Sequence, residues 1–411
     1  FVAFAGATVT GYAAMGLYNA RSRERMRGIA LRLVFGGVGA FVFMLPLAAL
    51  LESFRADTKV FVFAATSTVV VAFLLRLAYQ NFLAEDLFKR RVLVYGAGRY
   101  ANSIASLRRR SDRTGFEIVG FVRTPGDAIK VPEDRLVHPT NDLLRWCKSN
   151  DVDEIVVAMD DRRKAFPVHD LLQCRLNGVD CIELVSFLER ETGRVRLDVL
   201  NPSWMIFSEG FRRSLPREAT ARLLDILASA ALLAVAWPIM LAAVIAIVIE
   251  DGPRAPIFYR QRRVGKHGRP FDVLKFRSMR VDAESNGAQW AVKGDARVTR
   301  VGDFMRKTRV DELPQLLNVL RGDMRFVGPR PERPEFVRGL EDRLPYYTER
   351  HSVKPGLTGW AQLCYPYGAS EADSLQKLQY DLYYIKNRSL LFDIAVLVQT
   401  VEVILFGKGA R

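Results

Sequence analysis

Between Asp225 and Glu250 the chain runs for 24 residues, Ile226 to Ile249, without a charged side chain. As a helix this run is roughly 36 Å long, against about 30 Å of bilayer hydrocarbon, so it demands lipid or a wholly apolar surround. Its flanks constrain it further. Arg213, Arg217 and Arg222 precede it, and Arg254, Arg260, Arg262 and Arg263 follow it. Basic residues stay on the cytoplasmic side, so both ends are expected at the same face of the membrane. Trp237-Pro238 falls at mid-run, where a proline forfeits a backbone hydrogen bond, costs ~3 kcal/mol and bends a helix. The expectation is a re-entrant membrane helix over 226–249, kinked at Trp237 and Pro238. A straight span, the alternative, would strand residues 255–411 on the far side.

Three further apolar stretches open the chain: Phe1 to Tyr18, Leu33 to Leu51 and Val60 to Leu75. Each approaches the ~20 residues that cross a bilayer, so residues 1–80 are expected to be N-terminal transmembrane helices. The loop Arg21-Ser22-Arg23-Glu24-Arg25-Met26-Arg27 is strongly basic and the loop from Glu52 to Lys59 is balanced, which puts everything after residue 80 in the cytoplasm. The first residue then lies outside, and one more membrane segment is expected ahead of Phe1.

Residues 91–190 change to a soluble α/β pattern. Arg91 to Tyr95 is expected as a buried strand, followed by Gly96-Ala97-Gly98-Arg99-Tyr100-Ala101 opening a helix. Gly96, Gly98 and Ala101 form a GxGxxA turn in the context that binds dinucleotide phosphates, so a Rossmann-like domain is expected. Further strands are placed at Phe116 to Val122 and Glu154 to Ala158. The acidic residue that would hold a ribose is absent; Arg123-Thr124-Pro125 stands there. A membrane-tethered NAD-dependent oxidoreductase is therefore a weaker functional reading, and a non-catalytic membrane scaffold or transporter component is another. Without a required ligand, the domain's open sheet edge points to pairing, and a homodimer is expected. Residues 191–216 are taken as a linker.

A formal charge of +15 points to acidic partners: phosphorylated substrates, anionic membrane lipid or nucleic acid. No nucleic-acid reader motif accompanies it, so nucleic acid is set aside. The cysteines Cys147, Cys174, Cys181 and Cys364 form no CxxC pair, and a disulfide framework or zinc site is not expected. From residue 217 onward the basic residues gather around one acidic pair. Lys275 and Arg277 sit in a basic strip, and Arg306, Lys307 and Arg309 lead into Asp311-Glu312, with Pro314 close behind. Pro314 is best tolerated in a first helical turn, which places Asp311 near an N-cap. Two carboxylates among cations can also hold magnesium through substrate phosphates, or supply a nucleophile to phosphorus. A proline-locked turn, Val327 to Pro334, presents Arg330, Glu332 and Arg333, and Lys354 to Trp360 makes a second.

Six words in this region, YRQRRVG (259–265), KFRSM (275–279), the run from Arg297 to Met324, FVGPRPE (326–332), KPGLTGWAQ (354–362) and DLYYIKNRSLLFD (381–393), carry a resemblance. In kind and order they resemble the bacterial sugar transferase family, the monotopic polyprenyl-phosphate phosphoglycosyl transferases. With the membrane helices and Rossmann-like domain in front, the chain is similar to the large members that initiate exopolysaccharide or O-antigen repeat units. The resemblance implies a mainly α catalytic domain over 217–411 at the cytoplasmic face of the bacterial inner membrane. It implies transfer of a hexose-1-phosphate from a UDP-hexose to undecaprenyl phosphate, with UMP released. Asp311 would be the nucleophile that forms a phosphosugar-enzyme intermediate, and Glu312 would help hold Mg²⁺. Lys275, Arg277, Arg306, Arg330, Glu332 and Arg333 would surround the phosphates. Two departures stand out: Trp237-Pro238 where small members carry Ser-Pro, and Thr308-Arg309-Val310 where Thr-Ser-Leu is common.

Overall fold

The computed structural model describes residues 6, 8–9, 11–12, 29–30, 32–40, 58–82, 89–107, 115–125, 127–139, 142–161, 166–200, 202–208, 210–211, 214–281, 283, 295, 297–365, 368 and 370–406. The chain divides into two compact units, Phe1–Phe207 and Ser208–Arg411. Most of the two membrane segments expected at Phe1 to Tyr18 and Leu33 to Leu51, with the basic loop between them, lies outside the described residues. The third forms a helix, Thr58–Phe82.

The first unit is built on a five-stranded parallel sheet ordered β3-β2-β1-β4-β5, with β1 (Arg90–Tyr95), β2 (Phe116–Val122), β3 (Leu136–Val137), β4 (Glu154–Val157) and β5 (Asp180–Glu183). Strands covered on both faces read as continuous apolar runs, and Val92, Leu93 and Val94 of β1 are wholly buried. Alternation sorts them: Val92 and Val94 pack with Phe121, Phe187 and Leu188, while Leu93 packs with Ile155, Cys147 and Cys174. The three strands expected from the sequence are in place; β3 and β5 are additions too short or too polar to announce themselves. Residues 191–216 are not a plain linker. Helix Leu184–Thr192 ends inside that stretch, and a short helix, Pro202–Phe207, is docked where Trp204 Nε1 donates to Ser186 Oγ at 3.1 Å.

The second unit starts with one helix of 37 residues, Leu215–Asp251, with Pro216 in its first turn. Among the described residues it is the one helix long and apolar enough to cross a membrane. It begins well before the apolar run and stays helical through Pro238, so the kink expected at Trp237 and Pro238 does not interrupt the helix. A single proline removes only one rung of the ladder, and the helix on either side is long enough to continue. Trp237, Val235, Ile239 and Leu241 face outward.

Both ends of this helix are tied to the same unit. Near its start, Arg222 donates to the Val319 and Leu320 carbonyls at 2.6 Å, and Asp225 accepts from Phe326 N at 3.1 Å and Arg325 Nε at 3.2 Å. At its end, Glu250 accepts the backbone amides of Arg300 and Val301 at 2.8 and 3.1 Å, and Asp251 pairs with Arg277 at 2.6 Å. The rest is helical with two small strand pairs: antiparallel β6 (Phe258–Val264) with β7 (Pro270–Phe276), and parallel β8 (Arg325–Val327) with β9 (Gly356–Thr358). Gly328 and Gly356 cross so closely that a Cβ on Gly356 would lie 2.1 Å from Gly328 N, which is why both proline turns carry glycine there.

Candidate active site

Asp311 and Glu312 sit in a single 3-10 turn, Val310–Glu312, between helix Arg300–Thr308 and helix Gln315–Arg321. Arg309 makes the corner in the left-handed conformation at φ 61°, an uncommon posture for a residue with a Cβ. This corrects the expectation that Asp311 lies near the N-cap of the following helix. Pro314 takes the cap position, and the tight turn ahead of it presents both carboxylates.

Side chains from three elements converge on Glu312. Its Oε1 lies 3.4 Å from Arg330 Nη2, 3.5 Å from Lys275 Nζ and 3.7 Å from Arg309 Nη1. Burial alone would raise its pKa, but Arg330, Lys275 and Arg309 outweigh burial and hold it at about 2. Asp311 goes the other way. Burial and the neighbouring Glu312 charge push its carboxyl up, against Lys275, Arg309 and Arg306. Its Oδ1 is buried and has no hydrogen-bond donor among the described residues. An orphaned buried carboxylate oxygen costs ~1–3 kcal/mol or more, so it marks a place where a ligand or a reacting atom belongs.

The strands explain how Lys275 arrives. Asn318 stitches helix Gln315–Arg321 to β7, accepting from Leu274 N at 3.0 Å and donating to the Asp272 carbonyl at 2.8 Å. That registers Lys275 beside the dyad, where burial lowers its pKa against the pull of Glu312. Arg330 comes from the proline turn after β8. Arg306 is near enough to help hold the Asp311 charge.

Three other expected site residues make contacts away from Glu312, yet two stay within electrostatic reach of the site: Glu332 acts on Arg330, and Arg333 on Arg263, whose charge reaches Lys275. Arg277 is turned to Asp251 at the end of the long helix. Glu332 faces Arg263 of β6 at 3.5 Å, and its carbonyl accepts from Val264 N. Arg333 stands at the start of helix Pro334–Arg343, close to Arg263. Arg263 itself was not singled out by the sequence. Burial lowers its pKa to about 10 against Glu332, and the only sequence signal was its place in the YRQRRVG run.

Comparison with known proteins bears on this geometry. The profile of the bacterial sugar transferase family matches residues 216–407, and that of a CoA-binding domain matches 13–179. A UDP-glucose:undecaprenyl-phosphate glucose-1-phosphate transferase from Xanthomonas campestris pv. campestris is 33% identical over 375 residues, 85% of this chain and 74% of that protein. The chain belongs to the bacterial sugar transferase family. A protein of the same description from Klebsiella pneumoniae is 30% identical over 90% of this chain and 80% of its own length. A UDP-N-acetylgalactosamine-undecaprenyl-phosphate N-acetylgalactosaminephosphotransferase from Aeromonas hydrophila is 42% identical over 59% of this chain, spanning 56% of that relative.

The glycine turn of this sugar transferase does not support the oxidoreductase reading. The amides of Arg99 and Tyr100, which would cradle a diphosphate, both donate to the Asp160 carboxylate at 2.9 Å. Ala97 N donates to Asp127 at 3.1 Å, and the Thr124 hydroxyl donates to the same oxygen. A Cβ on Gly98 would lie 2.3 Å from Asp160 Oδ2, so this glycine makes room for a carboxylate of the chain's own. The fold at Gly96, Gly98 and Ala101 is the expected one, and its phosphate position is filled from within.

Proposed function

We propose that this chain transfers a hexose-1-phosphate from a UDP-hexose to undecaprenyl phosphate, as the membrane step that initiates a polysaccharide repeat unit. The observation that carries the reading is the Asp311–Glu312 pair: one carboxylate buried with an oxygen lacking a donor, the other held ionised by Lys275, Arg309 and Arg330. Family membership and the activities of the Xanthomonas and Klebsiella relatives support it.

Asp311 attacks the sugar-linked phosphorus. A bond forms from its carboxylate oxygen to phosphorus as the phosphoanhydride oxygen leaves with UMP, giving an aspartyl phosphosugar. A phosphate oxygen of the lipid then attacks the same phosphorus and returns Asp311 to its carboxylate. Lys275 and Arg330 stand where charge builds on the transferring phosphoryl oxygens, the main lever in such reactions. Glu312 keeps these cations in place. The raised Asp311 pKa makes that carboxylate a better nucleophile than an exposed aspartate.

The pair also fits magnesium, which takes one or two carboxylates and completes its shell with water and substrate phosphates. Asp311 and Glu312 would hold it, and when bound it would neutralise diphosphate charge.

The reading includes a membrane seat at the cytoplasmic face of the inner membrane. Its support is the long apolar helix and the anchoring of Arg222, Asp225, Glu250 and Asp251 to one folded unit. A straight crossing would part those anchors by the bilayer thickness, whereas a bent helix returning to one leaflet keeps them together. The N-terminal helices would add transmembrane anchors ahead of the sheet. Self-association through the edge strands β3 and β5 would make the homodimer, which sedimentation in detergent can test.

The deciding experiment is trapping. Purified protein mixed with UDP-hexose and Mg²⁺ but no lipid should release up to one equivalent of UMP and gain the mass of a hexose phosphate on the Asp311 peptide. Steady UMP release without any covalent adduct would sink the two-step mechanism.

A further inference from the structure

We propose that Arg350, gripped by Asp381 and Tyr347, is a positioning residue for Arg330: it fixes the backbone from which the Arg330 guanidinium reaches Glu312. The inference rests on the transferase reading above. Pro329 and Pro331 have no N–H to give, so their turn is held by its carbonyls. Four in a row are taken. Pro329 accepts from Gly356 N at 3.0 Å, Arg330 from Arg350 Nη2 at 2.9 Å, Pro331 from Arg263 Nη1 at 3.1 Å and Glu332 from Val264 N at 2.9 Å. The first and last of these bonds are backbone contacts. The carbonyl of Arg330 itself depends on a side chain.

That side chain is unusually committed. Arg350 also donates to Tyr347 Oη at 2.7 Å and to Asp381 Oδ2 at 2.9 Å, and its guanidinium lies 5.1 Å from the Tyr347 ring centroid. Arg350 and Asp381 are 7% and 2% exposed, so the pair is buried. Buried ion pairs contribute little net stability compared with apolar residues of the same shape, so stability alone is a poor account of this one. The three acceptors are spread over two nitrogens, Nη1 on Tyr347 and Nη2 on Arg330 and Asp381, a span that a planar fork covers and a single ammonium does not. At the other end of Arg330 the margin is thin. Its 3.4 Å contact with Glu312 is at the outer limit of a hydrogen bond, so a backbone shift of about 1 Å would break it.

The test uses the full chain in lipid. Asp381→Asn should lower kcat for UMP release about 10- to 100-fold with a much smaller change in KM. Arg330→Ala should cost more, and the double variant should match Arg330→Ala alone within about threefold, because two residues acting through one contact are not additive. Losses that multiply would overturn the proposal. Tyr347→Phe keeps the ring, removes one anchor of Arg350 and carries the same comparison should Asp381→Asn fail to fold. A readout independent of turnover separates this idea from the transferase reading. The Gly356 and Val264 amides, which donate to the turn on either side of Arg330, should exchange hydrogen at least about tenfold faster in Asp381→Asn or Tyr347→Phe than in wild type. Unchanged exchange would overturn the positioning role whether or not UMP is released.

Discussion

Two acidic pairs in this molecule meet opposite fates. In the first unit Asp127 and Asp160 close a glycine turn, and backbone amides from Ala97, Arg99 and Tyr100 satisfy them. In the second, Glu312 meets three side-chain cations, and one oxygen of Asp311 finds no hydrogen-bond donor among the described residues. Carboxylates that accept from amides held by the fold are tied to the backbone. One that faces side-chain cations, with an oxygen lacking a donor, is open to a substrate. A strand–glycine–helix turn is thus no evidence of a ligand until its donors are shown to be free.

The largest expected effect breaks the open pair. Asp311→Asn should cut UMP release by at least about 10³-fold while the protein still folds and inserts, since a nucleophile has no substitute in a two-step transfer. Steady-state assay and a melting curve check both halves, and retention of a tenth of the activity would remove Asp311 from the mechanism. Next comes Arg330→Ala, for which a loss of about 10²- to 10³-fold is expected, as for other donors aimed at developing charge. Arg330→Lys should recover part of it; indifference to charge at this position would show that Arg330 does not face the phosphates.

The two units should also separate in acid. His351 is 8% exposed, and burial together with Arg350 lowers its pKa to about 4. A base whose folded pKa lies below its unfolded value of about 6.5 leaves stability intact above 6.5 and removes it as pH falls toward 4. The loss should approach about 3 kcal/mol by pH 4. Calorimetry of wild type against His351→Asn should show a steeper acid decline of the second unit's transition in the wild type; parallel declines would clear His351. The smallest effect belongs to the closed pair. Asp160→Ala removes a helix cap and should cost about 1 kcal/mol of first-unit stability with UMP release unchanged. A drop in turnover beyond threefold would mean that the first unit communicates with the chemistry.

Much of this was legible in the sequence where the signal is local. The acid pair, its cationic company and the strands at β1, β2 and β4 follow from residue type and short-range pattern, since burial on both faces writes itself as continuous aliphatic runs. The corrections share one cause, which is distance along the chain. Arg277 looks like a phosphate ligand beside Lys275, yet it lies just past the end of β7, where the pleat no longer sets its direction, and it turns to Asp251, 26 residues away. Glu332 and Arg333 sit on the proline turn beside Arg263, a residue far away in sequence whose charge acts on Lys275 and Arg330.

By itself the sequence determined the family, the sheet-forming segments and the identity of the acid pair, because these rest on side-chain chemistry and periodicity within a few residues. Only the tertiary structure decided which carboxylates are spent. Asp160 reaches back 60 residues to fill the phosphate position, and Arg350 reaches 20 to hold the carbonyl of Arg330. Such contacts depend on how elements pack, and packing is a property of the whole fold that no local run of residues contains.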